Sequence, residues 1–267
     1  MTEEGRKKPR KTKKQNEKEL VKSMFEEDIK GEGTLQYFSS KEKLLFEQKF
    51  CQPKNASQTK LLRYLNDSSK KIVIATGPAG TGKTLFMTQS AIRFFLLGVF
   101  EKLIFTRPSV AVDEELGFLP GTLEEKMAPW MRPLYDILYT FISPKEVQHL
   151  IDEKIIEIVP LGFMRGRTFK SCCIIADEAQ NCTQSQMMML LTRLGENSRI
   201  FVTGDLEQCD LKSTKESGLR DFLDKFQRRN GRSDSISSIE FSTEDVEREE
   251  VVKTVLDIYA GTMEDIK

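Results

Sequence analysis

Short runs of β-branched and aromatic residues alternate along this chain with longer stretches whose apolar residues recur every three to four positions. The runs span residues 71–75, 102–106, 155–159, 172–176, 199–203 and 238–241. Helical periodicity covers residues 83–97, 122–141, 183–194, 219–226 and 248–259. Leu219, Phe222, Leu223 and Phe226 follow the i, i+3, i+4, i+7 spacing of a helix with one buried stripe. Thr183 and Gln186 stand at capping-box spacing. Strands alternating with helices predict an α/β fold with a mainly parallel sheet flanked by helices. The runs show little polar alternation, as expected of strands buried on both faces.

The pattern places one core domain at residues 55–260. Residues 1–20 carry no apolar pattern and read as a disordered basic tail. Within residues 1–18, eight Lys/Arg face three Glu, although the whole chain has a formal net charge of zero. Such a run serves nucleic acid, an import receptor or simple solubility. Residues 21–54 read as a linker with a short helix near 40–50, and 261–267 as a C-terminal tail.

Composition narrows the classes. No apolar run approaches the roughly 20 residues of a membrane span, and no apolar stretch follows the N-terminal basic residues as in a signal peptide. The five cysteines are odd in number and lack C-x-x-C spacing. Cys172 and Cys173 sit inside an apolar run and read as core thiols. A reduced, intracellular, cytoplasmic setting is expected, with nuclear import through the tail as a further option. His149 is the single histidine, so no structural zinc site is expected.

The chemistry begins at Gly77-Pro78-Ala79-Gly80-Thr81-Gly82-Lys83-Thr84, which fits G-x-x-x-x-G-K-[ST], the Walker A pattern, at every fixed position. A buried run precedes it and a helical stretch follows. Glycines let successive N–H groups curl inward onto phosphate oxygens, and the helix N-terminus adds its dipole. Lys83 is expected on the β- and γ-phosphates of ATP, and Thr84 on Mg²⁺. The apolar run 172–176 ends in Asp177-Glu178, at the strand end where open α/β sheets bind ligands. Asp177 suits the metal, directly or through its water, and Glu178 suits polarising an attacking water. Beyond the run 199–203, Gln208 either senses the γ-phosphate or is a residue of a polar turn.

Taken in order, these and further segments resemble the PhoH-like family of phosphate-loop ATPases, which is related to the superfamily 1 helicase core. The matching stretches are Gly77 to Thr84, Thr106-Arg107-Pro108, Leu116-Gly117-Phe118-Leu119-Pro120-Gly121 and Arg132-Pro133-Leu134-Tyr135. They continue with Met164-Arg165-Gly166-Arg167-Thr168, Asp177-Glu178-Ala179-Gln180-Asn181, Leu191-Thr192-Arg193-Leu194-Gly195, Val202-Thr203-Gly204-Asp205 and Ser217-Gly218-Leu219. The resemblance implies a RecA-like core of the ASCE type and ATP hydrolysis coupled to single-stranded RNA or DNA. Two places depart from the family pattern: Asp245-Val246-Glu247-Arg248-Glu249 has acidic neighbours around its arginine, and Lys212 follows Asp210-Leu211 where the family tends to have proline.

The resemblance also implies Gln58 at the adenine edge, against the bland reading of a surface glutamine. Arg107, Arg165 and Arg167 follow predicted strands and suit nucleic-acid phosphates or structural ion pairs. Met187, Met188 and Met189 point different ways on one helix and read as core, as do Trp130 and Tyr135. One such core leaves the γ-phosphate without a partner from a second domain, so a ring-like homo-oligomer, such as a hexamer, is expected, with Arg248 as its arginine finger. The leading functional expectation is an ATPase. A nucleotide-dependent binding module without turnover and a small-molecule kinase are the alternatives.

Overall fold

In the computed structural model, a parallel sheet with strand order β3-β2-β4-β5-β1-β6 carries the chain. The structure describes residues 46–108, 123–211, 216–229, 231, 233–247, 249, 251, 254 and 255; of residues 123–131 it describes the backbone. The strands are β1 (Ile72–Thr76), β2 (Lys102–Thr106), β3 (Ile156–Ile158), β4 (Cys172–Ala176), β5 (Arg199–Gly204) and β6 (Ile236–Glu240). The helices are α1 (Ala56–Asn66), α2 (Lys83–Leu96), α3 (Leu123–Phe141), α4 (Pro144–Asp152), α5 (Gln184–Leu191) and α6 (Gly218–Arg228).

Successive side chains of a strand point to opposite faces, and here both faces are apolar. Val73, Ala75, Leu103, Phe105, Cys173, Ile175 and Phe201 enter one core, beneath α1 to α4. Ile72, Ile74, Ile104, Cys172, Ile174, Ile200 and Val202 enter the other, beneath α5 and α6. This two-sided burial is why the strand sequences lack polar alternation, and each fully buried aliphatic side chain contributes roughly 1.5–3 kcal/mol. Strand β6 lies at an edge and does alternate, with Ser237 and Ile239 buried between more exposed neighbours.

Two helices go beyond what the apolar periodicity predicts. Helix α1 opens on Asn55, whose side chain accepts from the Gln58 N–H, and buries Leu61, Leu62 and Leu65. Helix α4 has a full capping box, Ser143 with Glu146, and proline at its first turn. Only Val147 and Leu150 of α4 are buried, too few to make a period visible. Residues 46–49 are helical, and Phe46 and Phe50 are buried in the core upstream of the expected boundary at 55. Phe46 packs on Phe141 with ring centroids 4.7 Å apart.

Arg199 begins the central strand β5 and is buried. Its guanidinium donates to the carbonyls of Leu65 (2.6 Å), Lys70 (2.7 Å), Asp67 (3.0 Å) and Tyr64 (3.1 Å). These lie at and beyond the C-terminal end of α1, where unpaired carbonyls and the helix dipole favour a cation. Arg199 also stands over the rings of Phe201 (5.0 Å) and Phe94 (5.5 Å).

The methionines divide. Met187 is buried, but Met188 is 69% exposed, which corrects the all-core reading. Tyr135 packs against the first core and stacks on Tyr139 at 5.8 Å. The side chain of Trp130 lies outside the described residues.

Candidate active site

Strand β1 delivers the phosphate loop to the carboxyl end of the sheet, between β5 and β6. The turn at Gly77 has φ +123°, and a Cβ there would collide with the Phe241 carbonyl oxygen. Only glycine allows the end of β6 to approach this closely. Gly82 has φ 85° and caps α2, whose first residues are Lys83 and Thr84. The loop is braced from outside by the Glu247 N–H on the Gly80 carbonyl at 3.1 Å.

Strand β4 brings the acid pair to the same end. Thr84 Oγ1 donates to Asp177 Oδ1 at 2.8 Å, joining residues 93 apart in sequence. Thr203 Oγ1, from β5, donates to the same carboxylate oxygen. Thr203 lies in a family-like stretch, but the stretch alone gives it no role, because that role depends on β5 lying between β1 and β4. The Lys83 ammonium donates to the carbonyls of Gly77 and Pro78, both at 2.6 Å, and to Thr81 Oγ1 at 3.2 Å. Burial lowers the Lys83 pKa below the ordinary lysine value, and Asp205, Glu178 and Asp177 partly restore it.

Glu178 has φ 54° and ψ 37°, a left-handed conformation that costs a non-glycine residue about 1–3 kcal/mol. Strain of this kind needs over-determining contacts: the Glu178 carbonyl accepts from the Asn181 N–H at 3.1 Å, and both carboxylate oxygens have partners. Gln180 Nε2 donates to its Oε2 at 2.6 Å, and an Arg107 nitrogen stands 3.6 Å from its Oε1. Gln180, buried, also donates to the Gln208 carbonyl at 3.1 Å and accepts from the Asp205 N–H at 3.0 Å. Asn181 donates to the Asp210 carboxylate at 3.0 Å and accepts from the Asp210 N–H at 2.8 Å. The turn after β4 is thus laced to the loop after β5. Gln180 belongs to a family-like segment of the sequence, but the segment alone gives it no role.

A cleft of about 250 Å³ is lined by Ala79, Gly80 and Gly82 to Thr84 of the loop, by Asp177 and Glu178, and by Thr203, Asp205 and Gln208. Sequence candidates Lys83, Thr84, Asp177, Glu178 and Gln208 therefore converge. Arg107 lies at the cleft's margin and shares a small cavity with Thr84, Thr106 and Asp177.

Other candidates fall elsewhere. Gln58 is buried; its Oε1 accepts from the Lys54 N–H at 2.7 Å and its Nε2 donates to the Thr81 carbonyl at 3.1 Å. It is a brace beneath the phosphate loop, which corrects the reading of a surface glutamine. Arg167 pairs with Glu157 at 2.7 Å and covers the Phe169 ring at 4.4 Å, matching the ion-pair alternative. Arg165 is exposed beyond β3. Arg248 lies outside the described residues.

A phosphate loop after β1, an acid pair after β4 and a strand inserted between them define an ASCE-type phosphate-loop NTPase fold. The family model "PhoH-like protein" matches residues 50–260, and the chain belongs to that family. It is 42% identical over 212 residues to a PhoH-like protein of Mycobacterium tuberculosis, covering 79% of this chain and 58% of that one. A PhoH-like protein of Bacillus subtilis is 38% identical over 246 residues, 92% of this chain and 71% of its own length. Among solved structures, the large terminase of a thermophilic bacteriophage aligns with TM-score 0.45 at 14% identity, over 76% of this chain and 49% of that chain. Among the described residues no helix is long and apolar enough to cross a membrane.

Proposed function

We propose that the protein hydrolyses ATP with Mg²⁺ and couples hydrolysis to single-stranded RNA or DNA. The carrying observation is the 2.8 Å bond between Thr84 and Asp177, which brings the loop hydroxyl and the acid together beside Lys83 and Glu178. Thr84 Oγ1 and Asp177 Oδ1 are oxygen donors of the kind Mg²⁺ takes. Among the described residues no group of three or more His, Cys, Asp or Glu is placed to hold a metal alone, so the fit is to an ion shared with phosphate oxygens. Bound there, Mg²⁺ supplies charge for the β- and γ-phosphates.

The chain's own residues account for the remaining chemistry. The N–H groups of residues 79–84 cradle the phosphates, and Lys83 exchanges its carbonyl partners for phosphate oxygens. Glu178 accepts the proton of the attacking water while Gln180 holds its other oxygen. Gln208 lines the cleft where it meets the terminal phosphate.

The chain spans 58% of the M. tuberculosis relative, so nucleic-acid coupling rests on the family resemblance together with Arg107 at the cleft's margin. We also propose a homo-oligomeric ring in which Arg248 reaches the terminal phosphate in a neighbouring subunit. Phosphate release without any acceptor, measured with and without single-stranded RNA and DNA, tests the reading. Release stimulated by one strand type is the expected result; release that needs a small-molecule acceptor would point to a kinase. ATP binding without release would favour the binding-module alternative.

A further inference from the structure

The two oxygens of Glu178 are held by different kinds of group. Oε2 takes an N–H from Gln180, whose amide is fixed at both ends inside the protein. Oε1 faces the guanidinium of Arg107 at 3.6 Å. Arg107 follows β2, which pairs directly with β4, so the two side chains leave neighbouring strand ends. Their side chains are 25% and 36% exposed, so the ion pair stands at the cleft's margin, open to solvent from one side.

We infer that Arg107 is a brake on Glu178 that nucleic-acid phosphate releases. A general base must offer a lone pair to the water proton it removes. With Arg107 beside it, Oε1 is turned toward a cation rather than toward a water. The pair is partly exposed and too long for a good charge-assisted hydrogen bond, so it is weak. A backbone phosphate offers arginine a bidentate partner and competes successfully for it. Once Arg107 turns to the phosphate, Oε1 is free for water while Gln180 still fixes the carboxylate plane. No covalent bond is made or broken; Arg107 exchanges Glu178 for the phosphate. This deepens the nucleic-acid reading and depends on it for the releasing ligand.

Linkage makes the device reciprocal: whatever nucleic acid does to Glu178, Glu178 does to nucleic-acid affinity. Two measurements follow. Arg107→Ala and Arg107→Gln should raise ATP turnover without nucleic acid by at least about 5-fold, the lower end of common couplings, and reduce stimulation by oligo(U) or oligo(dT) to near unity. Glu178→Gln, which removes the charge facing Arg107, should bind the same oligonucleotide several-fold more tightly than the wild type in fluorescence anisotropy. An unchanged or lower basal rate in a folded Arg107→Gln protein, with stimulation retained, overturns the brake while leaving nucleic-acid coupling intact. A wild type that binds neither oligonucleotide, nor responds to it, overturns both. Equal oligonucleotide affinity of Glu178→Gln and wild type also overturns the brake, and it needs no Arg107 variant to fold.

Discussion

Gln180 donates to Glu178 Oε2 at 2.6 Å while accepting from the Asp205 N–H at 3.0 Å, so one buried amide ties the acid after β4 to the loop after β5. The strained backbone at Glu178 makes this tie matter, because φ 54° persists only under external constraint. Gln180→Ala should lower kcat by about 10–100-fold through loss of carboxylate aim, with KM for ATP changed little. Steady-state phosphate release at varied ATP checks it. A fall in ATP affinity with kcat intact would instead make Gln180 a prop of the binding cleft.

Arg199 makes a stability prediction. Its four carbonyl partners lie at and beyond the end of α1, and removing the guanidinium strands the buried Leu65 carbonyl and three part-buried ones. Arg199→Met should cost about 2–4 kcal/mol, although methionine keeps much of the apolar stem. For a domain of this size that lowers Tm by roughly 5–15 °C. A thermal melt that does not move would show that the carbonyls find water.

The cysteines make a reactivity and pH prediction. Cys172, Cys173 and Cys182 are buried, and Cys51 and Cys209 partly so. Burial, the largest cause, pushes the Cys172 thiol up to about 11 from 9.0, against its side-chain hydrogen bond with Ser198, which lowers it. A raised folded pKa means the native state keeps the proton longer. This contribution is complete below pH 9 and is lost as pH climbs from about 9 to about 11. Native alkylation at pH 8 should therefore modify Cys51 and Cys209 ahead of the other three, and all five after unfolding. Cys209 neighbours Gln208 and donates to the Gln180 carbonyl at 3.4 Å, so ATP should slow its labelling. Mass spectrometry of the labelled peptides reads each site.

Assembly has its own test. Mixing Arg248→Ala subunits with Lys83→Ala subunits should restore part of the lost ATPase activity if the two residues serve one site from different chains. No restoration from variants that still assemble together would place Arg248 in its own subunit's chemistry.

Much of this was legible because the chemistry and the strands share short segments. The run 172–176 and the acids after it are contiguous, so locating β4 located Asp177 and Glu178. Strands β2 and β4 coincide with the apolar runs, at Lys102–Thr106 and Cys172–Ala176. What escaped was of two kinds. Helices α1 and α4 are short, with signals in their caps rather than in a period: Asn55 for one, Ser143 with Glu146 for the other. Partners of long separation escaped as well. Nothing near Gln58 or Gln180 announces that one braces Thr81 and the other joins Glu178 to Asp205, because those bonds follow from the strand order. Arg107 and Arg167 read alike in sequence, yet one faces Glu178 and the other Glu157.

The central claim is that Glu178 and the phosphate loop form one hydrolytic site, and phosphate release from Glu178→Gln tests it most directly. The substitution keeps the shape and an oxygen for Gln180, removing only the charge that accepts the proton. We expect turnover to fall about 10²–10⁴-fold while a labelled ATP analogue still binds, and Lys83→Ala to lose the binding itself. Wild-type phosphate release from Glu178→Gln would contradict the account.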